Sequence, residues 1–135
     1  MAWPDQLNRR FTITAGVVLF ATAAFHATGY ASVSSAVLAS GVKPALAAAM
    51  RALWLMFSAH LVVLGIMVIL ASGVPGARRL VLAGALIPAV DTALLLRFAG
   101  LFVGTVALAL ATVLLVLGGL LPPRREARGT GGVAP

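Results

Sequence analysis

Residues 80–97 read LVLAGALIPAVDTALLLR, and whether this stretch crosses a membrane decides the fold. A spanning helix needs about 20 mostly apolar residues, because the hydrocarbon core is about 30 Å thick and an α-helix rises about 1.5 Å per residue. The stretch has the length and the Leu/Ala/Val content, but Pro88 and Asp91 interrupt it. Three other runs qualify with less ambiguity. They cover residues 11–30, behind Arg9 and Arg10, residues 51–72, and residues 101–121, which stop at Pro122 and Pro123 because proline cannot continue a helix.

The basic residues resolve the ambiguous run. With residues 80–96 counted as a span, Arg9, Arg10, Arg78, Arg79, Arg124, Arg125 and Arg128 fall on one side, and Lys43, Arg51 and Arg97 on the other. Cytoplasmic loops carry the excess of Lys and Arg, so this partition predicts four spans with both termini in the cytoplasm. The expected fold is an all-α integral membrane four-helix bundle in which short turns make neighbours antiparallel. Residues 1–10 form a cytoplasmic arm, 11–121 the membrane domain, and 122–135 a cytoplasmic tail whose glycines predict disorder.

Composition agrees. Of 135 residues, 61% are apolar and 10% charged, with a mean hydropathy of +1.09, whereas soluble domains hold about 45–50% apolar and about 25% charged residues. There is no cysteine, which excludes disulfide scaffolds, thiolate zinc sites and iron–sulfur clusters. The net charge of +7 would suggest nucleic acid in a soluble chain. Here the basic residues sit at the ends of apolar runs, so they read as topology signals and headgroup contacts, and no nucleic-acid partner is expected. The Ala/Gly/Val/Arg-rich composition points to a bacterial cytoplasmic membrane. Arg9-Arg10-Phe11-Thr12 looks like an export leader, but no soluble cargo follows it, so this run is expected to remain as the first span.

Residues 31–50 are too apolar for an ordinary loop and too broken by Ser32, Ser34, Ser35 and Gly41 for a span. They are expected to extend the first helix, turn at 41–43 and open the second helix early, since Pro44 suits a first helical turn, where its missing N–H has no partner anyway.

Three ionisable residues lie within the spans: His26, His60 and Asp91. An ionisable group near the bilayer centre costs a few kcal/mol and is normally turned inward. Counting from the outer ends at Tyr30, Arg51 and Arg97 places the three roughly 6, 14 and 9 Å below the outer boundary. Their shared half of the bundle lets them meet, and the register of the adjacent second and third spans makes His60 the expected partner of Asp91. Trp54, Ser58, Tyr30 and Thr92 lie near the same level as possible cavity lining, with Thr22 and Thr105 nearby. The plainer readings are that Trp54 and Tyr30 anchor the interface and that the hydroxyls bond their own helices.

Two functional readings follow. In the first, the polar set fixes helix register in a non-enzymatic membrane protein that serves as a subunit or stabiliser of a larger complex, through self-association or a membrane partner, with no cofactor. In the second, a membrane enzyme or carrier holds a small lipophilic ligand, and His26, His60 and Asp91 bind a transition metal or relay protons. A haem between His26 and His60 is disfavoured by their depth difference of about 8 Å. The Gly100/Gly104 pair and the alanines are candidate packing contacts.

The early-span His26, the run LWLMFSAH at 53–60 and PAVD at 88–91 resemble small bacterial four-span proteins grouped as domains of unknown function. The resemblance covers residues 11–121 and implies the four-helix fold without an activity. Small multidrug-resistance transporters depend on a glutamate in the first span, where this chain has His26. Fluoride channels carry a Gly-rich motif ending in arginine in their first half, and that motif does not occur here.

Overall fold

The structure, a computed structural model, describes residues 3–121. The described residues are helical with short turns and contain no strand. Helix α1 runs over Trp3–Thr28, α2 over Tyr30–Ala39, α3 over Pro44–Ala71, α4 over Arg78–Phe98 and α5 over Val103–Leu120. Four of them, α1, α3, α4 and α5, are long and apolar enough to cross a membrane.

Helix boundaries follow local chemistry. Residues 31–50 do not simply prolong α1: the chain breaks at Gly29 and restarts as the separate helix α2. At Gly29 a β-carbon would lie 3.0 Å from the Trp54 ring, so glycine lets α3 approach closely. Ser40 Oγ donates to the Val37 carbonyl at 2.6 Å and Gly41 takes φ +72°, a left-handed conformation that costs glycine little. Lys43 is extended (ψ 139°) and Pro44 opens α3, as the steric demand of proline on its predecessor requires. Helix α1 begins well before residue 11, so the segment read as an arm is largely helical and continuous with the first apolar run. Pro88 is buried inside α4, and the helix continues through it. The tail at 122–135 lies outside the described residues.

Packing goes round the bundle in chain order, α1 against α3, α3 against α4, α4 against α5, and α5 back against α1. Three of these seams are tight. The α3–α4 seam is the loosest, although a short turn joins those two helices. The core is made of Ala15, Leu19 and Ala23 of α1, Leu61, Leu64 and Val68 of α3, Val81 and Ala85 of α4, and Leu108, Ala111 and Leu115 of α5. Three- and four-residue spacing puts each set on one helical face, and the many small residues let backbones come close. The closest approach joins α1 to α3: a β-carbon on Gly16 would lie 3.1 Å from the Gly65 carbonyl, and one on Gly65 would lie 3.2 Å from the Gly16 carbonyl.

Gly100 and Gly104 do not make a packing face between helices. Gly100 turns the chain at φ +79°, and Gly104 is covered by the ring of Phe102, 2.7 Å from where its β-carbon would stand. The two glycines shape the α4–α5 turn instead.

Candidate functional site

The α3–α4 turn sets the site's register. His60 and Asp91 stand equally far along the chain from Pro75 and Gly76 at the centre of that turn, so an antiparallel pair brings them level. His60 Nε2 donates to Asp91 Oδ2 at 3.0 Å. This bond crosses the loosest seam of the bundle. It is not sealed, since the His60 side chain is 35% exposed and that of Asp91 17%.

His26 takes other partners. Its Nδ1 shares a hydrogen bond with Ser58 Oγ at 2.9 Å, and its imidazole stacks on Trp54 with centroids 3.9 Å apart and planes 19° from parallel. The Trp54 Nε1–H donates to the His26 backbone carbonyl at 3.0 Å, so Trp54 clamps both ring and backbone of the residue. Phe57 separates the two imidazoles: its centroid lies 4.7 Å from that of His26 and 4.9 Å from that of His60, edge-on to the latter. The expected meeting of three side chains is therefore corrected to two units, His60–Asp91 and His26–Ser58–Trp54, joined through an aromatic ring.

The physical reason is helical spacing. Trp54, Ser58 and Phe57 lie within one turn of each other on α3, so the first two hold His26 about one turn nearer the start of α3 than His60. Among the described residues no three His, Cys, Asp or Glu side chains stand together as a metal-holding group. A metal at His26, His60 and Asp91 would need His26 to leave both Ser58 and Trp54.

The remaining sequence candidates divide similarly. Tyr30 belongs to a polar knot at the α2 end of the bundle: Arg51 Nε donates to Ser34 Oγ at 2.7 Å, and Arg51 Nη2 donates to the Tyr30 hydroxyl at 3.2 Å. Ser34 and Phe57 were not among the residues singled out by sequence. Their signal was present in the spacing, since Ser34 and Arg51 stand about equally far from the turn before Pro44. The hydroxyls of Thr92, Thr22 and Thr105 turn to backbone carbonyls, of Pro88 at 2.6 Å, Val18 at 2.8 Å and Gly100 at 3.0 Å. These hydroxyls satisfy backbone carbonyls of their own helix or of the turn before it.

At the opposite end, Asn8 Nδ2 donates to the Leu121 carbonyl at 2.9 Å, and Arg78 donates to the carbonyls of Gly119 and Leu120. The start of α1, the end of α5 and the α3–α4 turn are thus tied together. No protein family, curated protein or solved structure matches the chain.

Proposed function

We propose that this chain is a multi-pass protein of a bacterial cytoplasmic membrane, with both termini inside the cell, that serves as a subunit or stabiliser of a larger membrane complex. The observation that carries the reading is the pairing, inside the chain itself, of the three ionisable residues within the apolar stretches of the long helices, His60 with Asp91 and His26 with Ser58 and Trp54. Groups so engaged fix helix register, which is the best-attested use of polar pairs between helices. Meanwhile large apolar side chains such as Leu53, Met56, Met67, Leu86 and Leu94 face outward, toward acyl chains or another membrane helix.

Topology supplies one test. Reporter fusions after Arg79 and after Arg128 are expected to report cytoplasm, and a fusion beside Lys43 the outside. A cytoplasmic Lys43 would overturn the four-span topology. Assembly supplies a second test: cysteine crosslinking from Met56 or Met67 in native membranes is expected to return a species larger than the monomer, and monomer alone at natural expression would count against the subunit reading.

A membrane enzyme or carrier for a small lipophilic ligand is the second reading, favoured by the partial exposure of His60 at the loose α3–α4 seam. There His60 and Asp91 would relay a proton, and His26 would shape the outer wall.

A further inference from the structure

The end of the bundle where α1 begins and α5 finishes contains a cavity of about 470 Å³, open on one side and lined by the early turns of α1, the α3–α4 turn and the last turn of α5. Its polar lining comes from Asn8, Arg9, Thr12, Ser72 and Arg78, and its apolar lining includes Ala71, Val74 and Val81. None of the described lining residues is acidic. The walls are braced, because Arg78 spans to the carbonyls of Gly119 and Leu120 and Thr12 Oγ1 donates to the Asn8 carbonyl at 2.9 Å. Among the described residues Asn8 Oδ1 is buried without a hydrogen-bond partner, while the amide nitrogen donates to the Leu121 carbonyl and fixes this side chain in the wall.

We propose that this cavity binds the headgroup of an anionic phospholipid. The inference rests on the membrane reading above, which places this end at the level of the cytoplasmic headgroups. Arg9 and Arg78 supply the positive field for the phosphate, and the apolar wall receives the glycerol and the first acyl carbons. The cavity selects by negative charge, which phosphatidylglycerol carries and phosphatidylcholine, with no net charge, does not.

The test uses the full chain purified in detergent, titrated with phosphatidylglycerol or phosphatidylcholine and read by native mass spectrometry. Arg9→Gln and Arg10→Gln remove the same charge one residue apart, and only Arg9 lines the cavity. Arg9→Gln is expected to weaken phosphatidylglycerol binding by about fivefold or more, the scale of one basic residue at an anionic surface, and Arg10→Gln by less than about twofold. Ser72→Phe fills the cavity while keeping every arginine and is expected to abolish the binding. Equal effects of Arg9→Gln and Arg10→Gln would overturn the proposal in favour of diffuse surface charge, and equal binding of the two lipids would overturn it in favour of apolar contact without charge selection. Binding of soluble glycerol phosphate as strong as that of the lipid would overturn the lipid assignment. Retention of the chain in membranes after alkaline carbonate extraction tests the membrane reading separately, so its failure is distinct from failure of the site.

Discussion

Gly65→Leu is expected to lower the stability of the bundle by about 2–3 kcal/mol, the upper part of the range for overpacking a closed seam. The cause lies in the α1–α3 crossing. A β-carbon at residue 65 would stand 3.2 Å from the Gly16 carbonyl and 3.3 Å from the Phe20 ring, and a backbone oxygen inside a helix cannot move aside. The rest of a leucine side chain has to force the two helices apart, separating Leu19 and Ala23 from Leu61 and Leu64. Gly84→Ala is the matched control. Its β-carbon would meet Val68 Cγ1 at 3.5 Å and Leu64 Cδ1 at 3.7 Å, ordinary contact distances in the α3–α4 seam. That substitution is expected to be neutral or to add up to about 1 kcal/mol, since alanine is the better helix former. Reversible unfolding in mixed micelles, followed by circular dichroism, reads both. A Gly65→Leu protein as stable as the wild type would show that the α1–α3 seam is not where the bundle closes.

Asp91→Leu is expected to cost about 1–2 kcal/mol by the same measurement, the upper end of measured interhelical polar bonds in membranes. It removes the acceptor for His60 Nε2 and leaves an imidazole N–H unpaired across the loosest seam of the bundle. Asp91→Asn keeps the shape and an acceptor oxygen, so its cost is expected to stay within about 0.5 kcal/mol. The double replacement Asp91→Leu with His60→Leu is expected to recover much of the loss, because removing both members of a pair leaves no orphaned group. The subunit and enzyme readings separate on phenotype. Under the subunit reading Asp91→Asn behaves as wild type in cells and Asp91→Leu does not. Under the enzyme reading both abolish function while the protein remains in the membrane.

The long helices were legible because a run of apolar residues between arginines or prolines has few alternatives at this length. Even the interrupted run at 80–96 could be recognised, through the distribution of charge outside it. The turn residues carried the His60–Asp91 pairing as well, since equal distance from a tight turn fixes level. Residues 31–50 were less legible. Nothing in that run shows that Gly29 breaks the helix until the Trp54 ring is found packed over it, a contact between positions far apart in the chain. The position of His26 was obscured for a related reason. Counting residues gives depth along the helix axis but not rotation about it, and rotation decides that His26 faces Ser58 and Trp54 instead of Asp91. The Gly100/Gly104 spacing misled because two glycines four apart are as suited to a turn as to a helix crossing, and Gly100 at φ +79° chooses the turn.

Helix α5 packs against both α1 and α4, while α3 and α4 make the loosest seam. This has a consequence for biogenesis. The ribosome delivers α5 after the other four helices, so in the proposed membrane setting α1 and α4 wait with one face each uncovered until this 18-residue helix is released. Up to that moment the nascent chain is held by the α1–α3 crossing and, across the α3–α4 seam, by the His60–Asp91 bond and a few apolar contacts. A chain truncated between Phe98 and Val103 therefore loses the partner of two helices at once, and in that setting quality-control proteases would meet an unfinished intermediate instead of a slightly weakened bundle.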